Sequence, residues 1–256
     1  MGILNLSQDS FYDGGKHNTT EGVLLQAEKM LNEGATFIDL GAASSKPGSK
    51  IIRAEEEMEI VLPILQALQD RFPTVHFSID TYNHSVAHAC LNAGASMIND
   101  ISGGTIDPKM HTTVAKFSAP YVMMHMQGTP ETMQNNPTYE DVVTDILSYF
   151  SKQTKAALWA GIHDVVVDPG FGFGKNHKQN FKLLNHLKQF QILGCPILMG
   201  ISRKSMIYKF LNTSSNQALN GTTALHAWGL ERGANILRVH DVKQAKECID
   251  LWGELQ

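Results

Sequence analysis

Cysteine is scarce in this chain. Cys90, Cys195 and Cys248 are the three among 256 residues, and they are far apart, odd in number and without a C-x-x-C pair. That excludes a disulfide framework and leaves them as small hydrophobes in a reducing compartment. No run approaches the roughly 18 apolar residues of a membrane span. The amino terminus has no charged stretch leading into an apolar one, and Leu6 stands where a myristoylation signal needs Ser or Thr, so a cytoplasmic protein with no membrane partner is expected. Basic residues do not dominate either: 21 Lys and Arg against 25 Asp and Glu leave a net charge of -4. No global cationic field exists to hold a nucleic acid, and an anionic ligand would need a local cationic pocket. There is no G-x-S-x-G elbow of a serine hydrolase. His125, set among Met123, Met124 and Met126, reads as core filling rather than as a metal ligand.

What is present is a repeat. A helical pattern ends at Gly, an apolar strand follows, and a polar residue closes it: Gly34 to Asp39, Gly94 to Asp100, Gly161 to Asp168 and Gly233 to His240. Glycine has a structural cause here, because a helix C-terminus commonly requires a left-handed residue. A further strand candidate lies between each pair of copies. In order, the strands read Met1 to Leu6, Thr36 to Leu40, Val75 to Ile79, Ser96 to Asn99, Tyr121 to Met124, Val165 to Asp168, Pro196 to Met199 and Asn235 to Val239. The helices between them open near Thr19 or Thr20, Ala54, Ser85, Pro108, Tyr139, Gln179, Gln217 and Lys243, with Pro63 expected to kink the second. Eight strands each followed by a helix predict one α/β domain over residues 1–256, a closed (β/α)₈ TIM barrel. A doubly wound open sheet would show fewer units and an early phosphate-loop fingerprint.

The sixth strand runs into Asp168-Pro169-Gly170-Phe171-Gly172-Phe173-Gly174-Lys175. This loop matches neither G-x-x-x-x-G-K-[ST] nor G-x-G-x-x-G, so it is not a recognised phosphate cradle. In a barrel the active site lies at the C-terminal ends of the strands. Those ends carry Asn5, Asp39, Asp80, Asn99, His125, Asp168, Lys204, Arg238 and His240. Asp80, Asn99 and Asp168 offer acceptors and an amide suited to a flat heterocycle displaying several N–H groups. Lys46, Lys204, Arg238 and His240 offer positive charge for an anion.

Several motifs in one order carry a specific resemblance. Met1-Gly2-Ile3-Leu4-Asn5, Asp9-Ser10-Phe11, Asp13-Gly14-Gly15, Ile79-Asp80-Thr81, Ile98-Asn99-Asp100-Ile101-Ser102-Gly103-Gly104 and Met124-His125-Met126-Gln127-Gly128-Thr129-Pro130 are followed by Asp168 to Lys175, Ser202-Arg203-Lys204-Ser205 and Arg238-Val239-His240-Asp241. Together they strongly resemble the dihydropteroate synthase family over nearly the whole chain. The resemblance implies condensation of 6-hydroxymethyl-7,8-dihydropterin pyrophosphate with p-aminobenzoate, giving 7,8-dihydropteroate and pyrophosphate, in a homodimer that uses Mg²⁺. Carried over position by position, Asp80, Asn99, Ile101, Met124, Asp168, Lys204 and Arg238 are expected to bind the pterin. Asn5, Ser45, Lys46, Arg238 and His240 would grip the pyrophosphate, with Mg²⁺ at Asn5. Phe11, Pro47, Phe173, Ser202 and Lys204 would hold p-aminobenzoate, and Asp13, Lys204, Arg238 and His240 are the expected catalytic groups.

The chain departs from the family pattern at three places. Ala43-Ser44-Ser45-Lys46-Pro47-Gly48 lacks the usual Glu, has Ser for Thr and Lys for Arg; Ser7-Gln8 stands for Thr-Pro; and the chain opens directly in strand 1 without the usual capping hairpin. Two other readings remain open at this level: a non-catalytic pterin-binding paralogue, and a pterin-dependent methyltransferase barrel. The second would need neither the Ser202 to Ser205 segment nor a pyrophosphate grip.

Overall fold

Eight short apolar segments buried on both faces can satisfy their backbone amides only by pairing with each other. In the computed structural model, which describes residues 1–6, 20–42, 52–129, 132–133 and 137–256, they do so as a ring. Strands β1 (Gly2–Asn5), β2 (Phe37–Gly41), β3 (His76–Asp80), β4 (Met97–Asp100), β5 (Tyr121–Met124) and β6 (Val165–Asp168) pair in parallel in that order. Strands β7 (Leu198–Met199) and β8 (Ile236–Leu237) pair with each other. Single parallel bridges, Val167 with Ile197 and Gly2 with Val239, join the two sheets at both seams. The Ile3 amide donates to the Val239 carbonyl at 2.9 Å and the Val239 amide to that of Met1 at 2.9 Å, which closes the barrel.

Among the described residues the outer ring holds α1 (Thr20–Asn32), α2 (Ala54–Arg71), α3 (His84–Asn92), α4 (Met110–Lys116), α5 (Val142–Ala160), α6 (His177–Asn185), α7 (Ser205–Tyr208), α8 (Leu219–Glu231) and α9 (Val242–Gly253). Local signals explain the ends. Asp141 accepts the Val143 and Thr144 amides before α5, Gly161 at φ 101° ends it, and Asn176 with Gln179 forms a capping box on α6.

The expected fold is found, with local differences. β7 and β8 are two residues each, because their flanks pair only through isolated bridges. α2 stays one helix through Pro63. α6 stops at Asn185 and the chain goes on as a 3₁₀ segment, Leu187–Leu193. The short α7 lies between the expected seventh strand and the helix expected near Gln217, where the sequence assigns no helix. The expected loops after β1 and β2, and Thr19, lie largely outside the described residues.

Two apolar layers fill the molecule. The larger lies between strands and helices, with Leu40, Phe77, Ile98, Tyr121 and Val167 against Leu65, Leu68, Val86 and Phe150. The smaller plugs the barrel interior: Met97, Val122, Val166 and Leu198, with Met1, Phe37 and Ile236 packed on them. Burial of each such side chain contributes about 1.5–3 kcal/mol.

Candidate active site

Residues two apart on a strand share a face. Two places beyond the plug residues Phe37, Met97, Val122, Val166, Leu198 and Ile236 stand Asp39, Asn99, Met124, Asp168, Gly200 and Arg238. The layer above the apolar plug is therefore charged and amide-rich. Asp80 lies one step further out, two beyond Ser78, which pairs in register with Asp39.

The charges are paired. Arg238 donates from Nε to Asp39 Oδ2 at 2.7 Å and from Nη2 to Asp80 Oδ2 at 2.7 Å, and Asn99 Nδ2 donates to the same Asp39 oxygen at 2.9 Å. Asp39 is wholly buried and its other oxygen has no hydrogen-bond partner among the described residues. Burial raises the Asp80 carboxyl to about 7; Arg238 opposes the rise and Asp39 adds to it. Arg238 stays charged, since its two carboxylates outweigh the burial that works against it.

Opposite this cluster, burial also raises Asp168, with Lys204 opposing. One Asp168 oxygen accepts the Gly170 amide at 2.8 Å, which fixes the carboxyl plane. Lys204 reaches the Phe171 carbonyl at 2.5 Å and lies 4.5 Å above the Phe173 ring. Burial lowers its pKa to about 8, Asp168 holding it up. Gly200 keeps the space between them open: a methyl there would lie 3.8 Å from Asp168 Oδ2, 3.8 Å from Lys204 Nζ and 3.9 Å from Arg238 Cβ. Acceptors, donors and an aromatic face thus converge at one end of the barrel.

The loop after β6 owes its glycines to close packing. Gly170 and Gly174 adopt φ values of 72° and 61°, and a methyl on either would strike a backbone carbonyl, of His125 and Gln127 respectively.

Of the expected site residues, Asp80, Asn99, Asp168, Lys204, Arg238 and Phe173 gather at this end of the barrel. Ile101 and Met124 lie buried at the ends of β4 and β5. Asn5 is exposed at the end of β1, in register with Gly41. Ser202 is buried and its hydroxyl accepts the His240 amide at 3.2 Å. His240 is exposed over the whole residue, yet desolvation of its imidazole, with Arg238 adding, lowers its pKa to about 4. Phe11, Asp13, Ser45, Lys46 and Pro47 lie outside the described residues. Arg203 faces elsewhere, holding both Asp241 oxygens at 2.8 Å.

Three residues have no role in the sequence reading of the site. Asp39 is named there only as a polar strand end; counting two places from Phe37 would set it on the inner face, where a carboxylate in a doubly buried strand needs a partner. Lys175 is buried against the loop. Ser205 opens α7 beside Lys204 and lines a cavity of about 500 Å³ with Lys175, His177, Lys209 and Phe210. His84 and His88 stand four apart on α3, yet His84 pairs with Asp107 and His88 packs edge-on against Phe117. Among the described residues no group of three His, Cys, Asp or Glu could hold a metal ion.

Known proteins of the same kind exist. The family model described as pterin binding enzyme matches residues 1–240. A dihydropteroate synthase of Haemophilus influenzae is 41% identical over 254 residues, covering 98% of this chain and 92% of its own. The chain belongs to the dihydropteroate synthase family. A Yersinia pestis dihydropteroate synthase solved with a sulfonamide drug complex superposes with a TM-score of 0.94 at 41% identity, over 100% of this chain and 93% of its own. A Xanthomonas albilineans member solved with 4-aminobenzoic acid gives 0.93 at 37% identity, over 100% and 92%. The family's barrel is thus this chain's barrel, and the membership read from scattered motifs agrees with both.

Proposed function

We propose that this member of the dihydropteroate synthase family condenses 6-hydroxymethyl-7,8-dihydropterin pyrophosphate with p-aminobenzoate to give 7,8-dihydropteroate and pyrophosphate. The observation that carries this is the cluster at the strand ends: Asp39, Asp80 and Asn99 with the Arg238 guanidinium, Asp168 and the Lys204 ammonium across Gly200, and the Phe173 ring beside that ammonium.

In this reading Asp168, Asn99 and Asp80 take the N–H groups of the pterin, and Ile101 and Met124 line its faces. Arg238, with Asn5, Ser45, Lys46 and His240, grips the pyrophosphate. Cleavage of the methylene C–O bond sends the electron pair to pyrophosphate and leaves a pterin methylene cation. The preorganised charges of Arg238 and Lys204 stabilise the departing anion, and the Asp13 carboxylate suits the cation. The aromatic amine of p-aminobenzoate, held by Phe173, Lys204, Ser202, Phe11 and Pro47, then forms the new N–C bond and gives up a proton. Exclusion of water keeps the cation for the amine.

Asn5 offers a hard amide oxygen at the barrel mouth, which fits Mg²⁺ held mainly by substrate phosphate oxygens rather than by a protein cage. The ion would neutralise charge on the leaving group. A homodimer is supported by exposed apolar side chains on neighbouring elements, Ile192 after α6, Trp228 on α8, and Ile249 and Leu251 on α9. With no helix among the described residues long and apolar enough to cross a membrane, a cytoplasmic site of action is in keeping with the small soluble substrates.

The test is coupled turnover. Pyrophosphate release should require both substrates, with dihydropteroate formed in equal amount. Binding of the pterin pyrophosphate without release would identify a non-catalytic pterin-binding paralogue instead, and transfer of a methyl group a methyltransferase.

Lys46 supplies a finer check. A guanidinium clamps two phosphate oxygens in a fixed fork, whereas an ammonium is a compact charge on a flexible stem. Lys46→Arg should tighten binding of the pyrophosphate substrate by about 1 kcal/mol and Lys46→Ala should weaken it, both differences shrinking with added salt. Identical Michaelis constants for the three proteins at two ionic strengths would take Lys46 out of the substrate's reach.

A further inference from the structure

One buried charge has no task in that scheme. Lys175 ends the glycine-rich loop, is 3% exposed, and gives its ammonium to four protein acceptors. These are His125 Nδ1 at 3.0 Å, the His125 carbonyl at 3.3 Å, the Gly170 carbonyl at 2.9 Å and the Phe173 carbonyl at 3.0 Å. An ammonium has three N–H donors and no acceptor. Burial lowers the Lys175 pKa well below the ordinary lysine range, with Asp168 holding it up. Four acceptors around Nζ, one N–H being shared between two of them, favour the charged form, because a neutral amine would aim its lone pair at one of them. Burial holds the His125 imidazole neutral, and Lys175 works the same way, so Nδ1 is free to accept.

The four partners span a boundary. Two belong to the residue that follows β5, and two to the loop that follows β6. Asn180 of α6 adds a tie, accepting the Gly172 amide at 2.7 Å and donating to the Lys175 carbonyl at 3.1 Å. Tyr139 donates to the Gly174 carbonyl at 2.7 Å. Between these anchors stand Phe171 and Phe173, whose carbonyl and ring meet Lys204. Glycines at 170, 172 and 174 with φ of 72°, 83° and 61° would otherwise leave the loop many conformations.

We propose that Lys175 is a positioning residue for the arylamine substrate, an internal cation that ties the β6–α6 loop to the end of β5 and so fixes the Phe173 ring and the Lys204 ammonium relative to each other. The proposal rests on the reading of Phe173 and Lys204 as the p-aminobenzoate subsite. Pinning by a charge inside the loop suits a site whose own glycines cannot hold their shape.

Lys175→Met keeps the length and the apolar stem while removing the donors. Its expected effect is a rise of about tenfold or more in the Michaelis constant for p-aminobenzoate, as for a reactant misplaced by a fraction of an ångström to an ångström. The constant for the pterin pyrophosphate should change much less. Hydrogen exchange should speed up across residues 169–175 and 125–128, with the strand amides unchanged. Lys175→Ala should recover when methylammonium or ethylammonium is added, because Lys175 borders the cavity beside α7. Lys175→Gln, which keeps two donors, should lie between wild type and Met, and it serves if Met does not fold. Unchanged p-aminobenzoate kinetics with unchanged loop exchange would overturn the proposal, as would faster exchange throughout the barrel, the mark of a core residue only. If the wild-type protein shows no synthase turnover, the functional reading fails by itself. Exchange and amine binding then still report whether Lys175 pins the loop.

Discussion

Arg238→Met should destabilise the folded protein by about 3–5 kcal/mol near pH 8, the cost of leaving buried carboxylates without their cation. Asp39 is wholly buried and the Asp80 side chain is 12% exposed, so water cannot replace the guanidinium. The loss should depend on pH in a definite direction. Asp80 is raised to about 7 even with Arg238 in place, and without it this carboxyl rises further above the ordinary unfolded value of roughly 3.9. A folded state that binds protons more tightly than the unfolded one has its stability fully present below the unfolded pKa. It loses that stability as pH rises through the folded value. The gap between wild type and variant should therefore be small near pH 5 and large near pH 8. Urea melts at the two pH values would show it, and an equal gap at both would mean that the triad does not hold its charges as ion pairs. Catalysis should fall as well, since the same guanidinium is assigned to the pyrophosphate.

Asp168→Asn should weaken pterin binding by about 1.5–3 kcal/mol, roughly tenfold to 150-fold, through loss of charge-assisted hydrogen bonds to ring N–H groups. The fold should survive. An asparagine carbonyl can still accept the Gly170 amide, and a neutral side chain escapes the burial that raises the Asp168 pKa. Lys204 would lose its anionic neighbour and drop below its present value of about 8. Calorimetry with 6-hydroxymethylpterin, alongside a melting curve, separates the outcomes. Unchanged affinity in a folded variant would remove Asp168 from the pterin site.

The order of elements was legible in the sequence because its signals are local. Glycine after a helix, β-branched runs and polar strand ends depend on nearest-neighbour sterics and burial, and they gave eight strands in the right places. Boundaries were less legible where pairing is decided by the partner strand. β7 and β8 shrink to two residues because the seams close through single bridges, and no local rule for Pro196 to Met199 contains that information.

Much of the candidate site could also be read as a place in the fold, since Asp80, Asn99, Asp168, Lys204 and Arg238 all end strands or follow them. Their partners could not. Asp39 and Arg238 are 199 residues apart, and only the stagger of a closed barrel puts that carboxylate under that guanidinium. The same holds for Ser202, which sequence order places with Lys204 but whose hydroxyl the structure gives to the His240 amide. Lys175 shows the limit most plainly: its motif stands out in the chain, yet the His125 ring that it binds comes from another strand 50 residues away. Sequence by itself determined the order of strands and turns and which polar groups stand at the strand ends. Tertiary structure alone decided which charges neutralise each other, because the energy of a buried ion pair depends on distance and desolvation, and both are set by strand register across the ring.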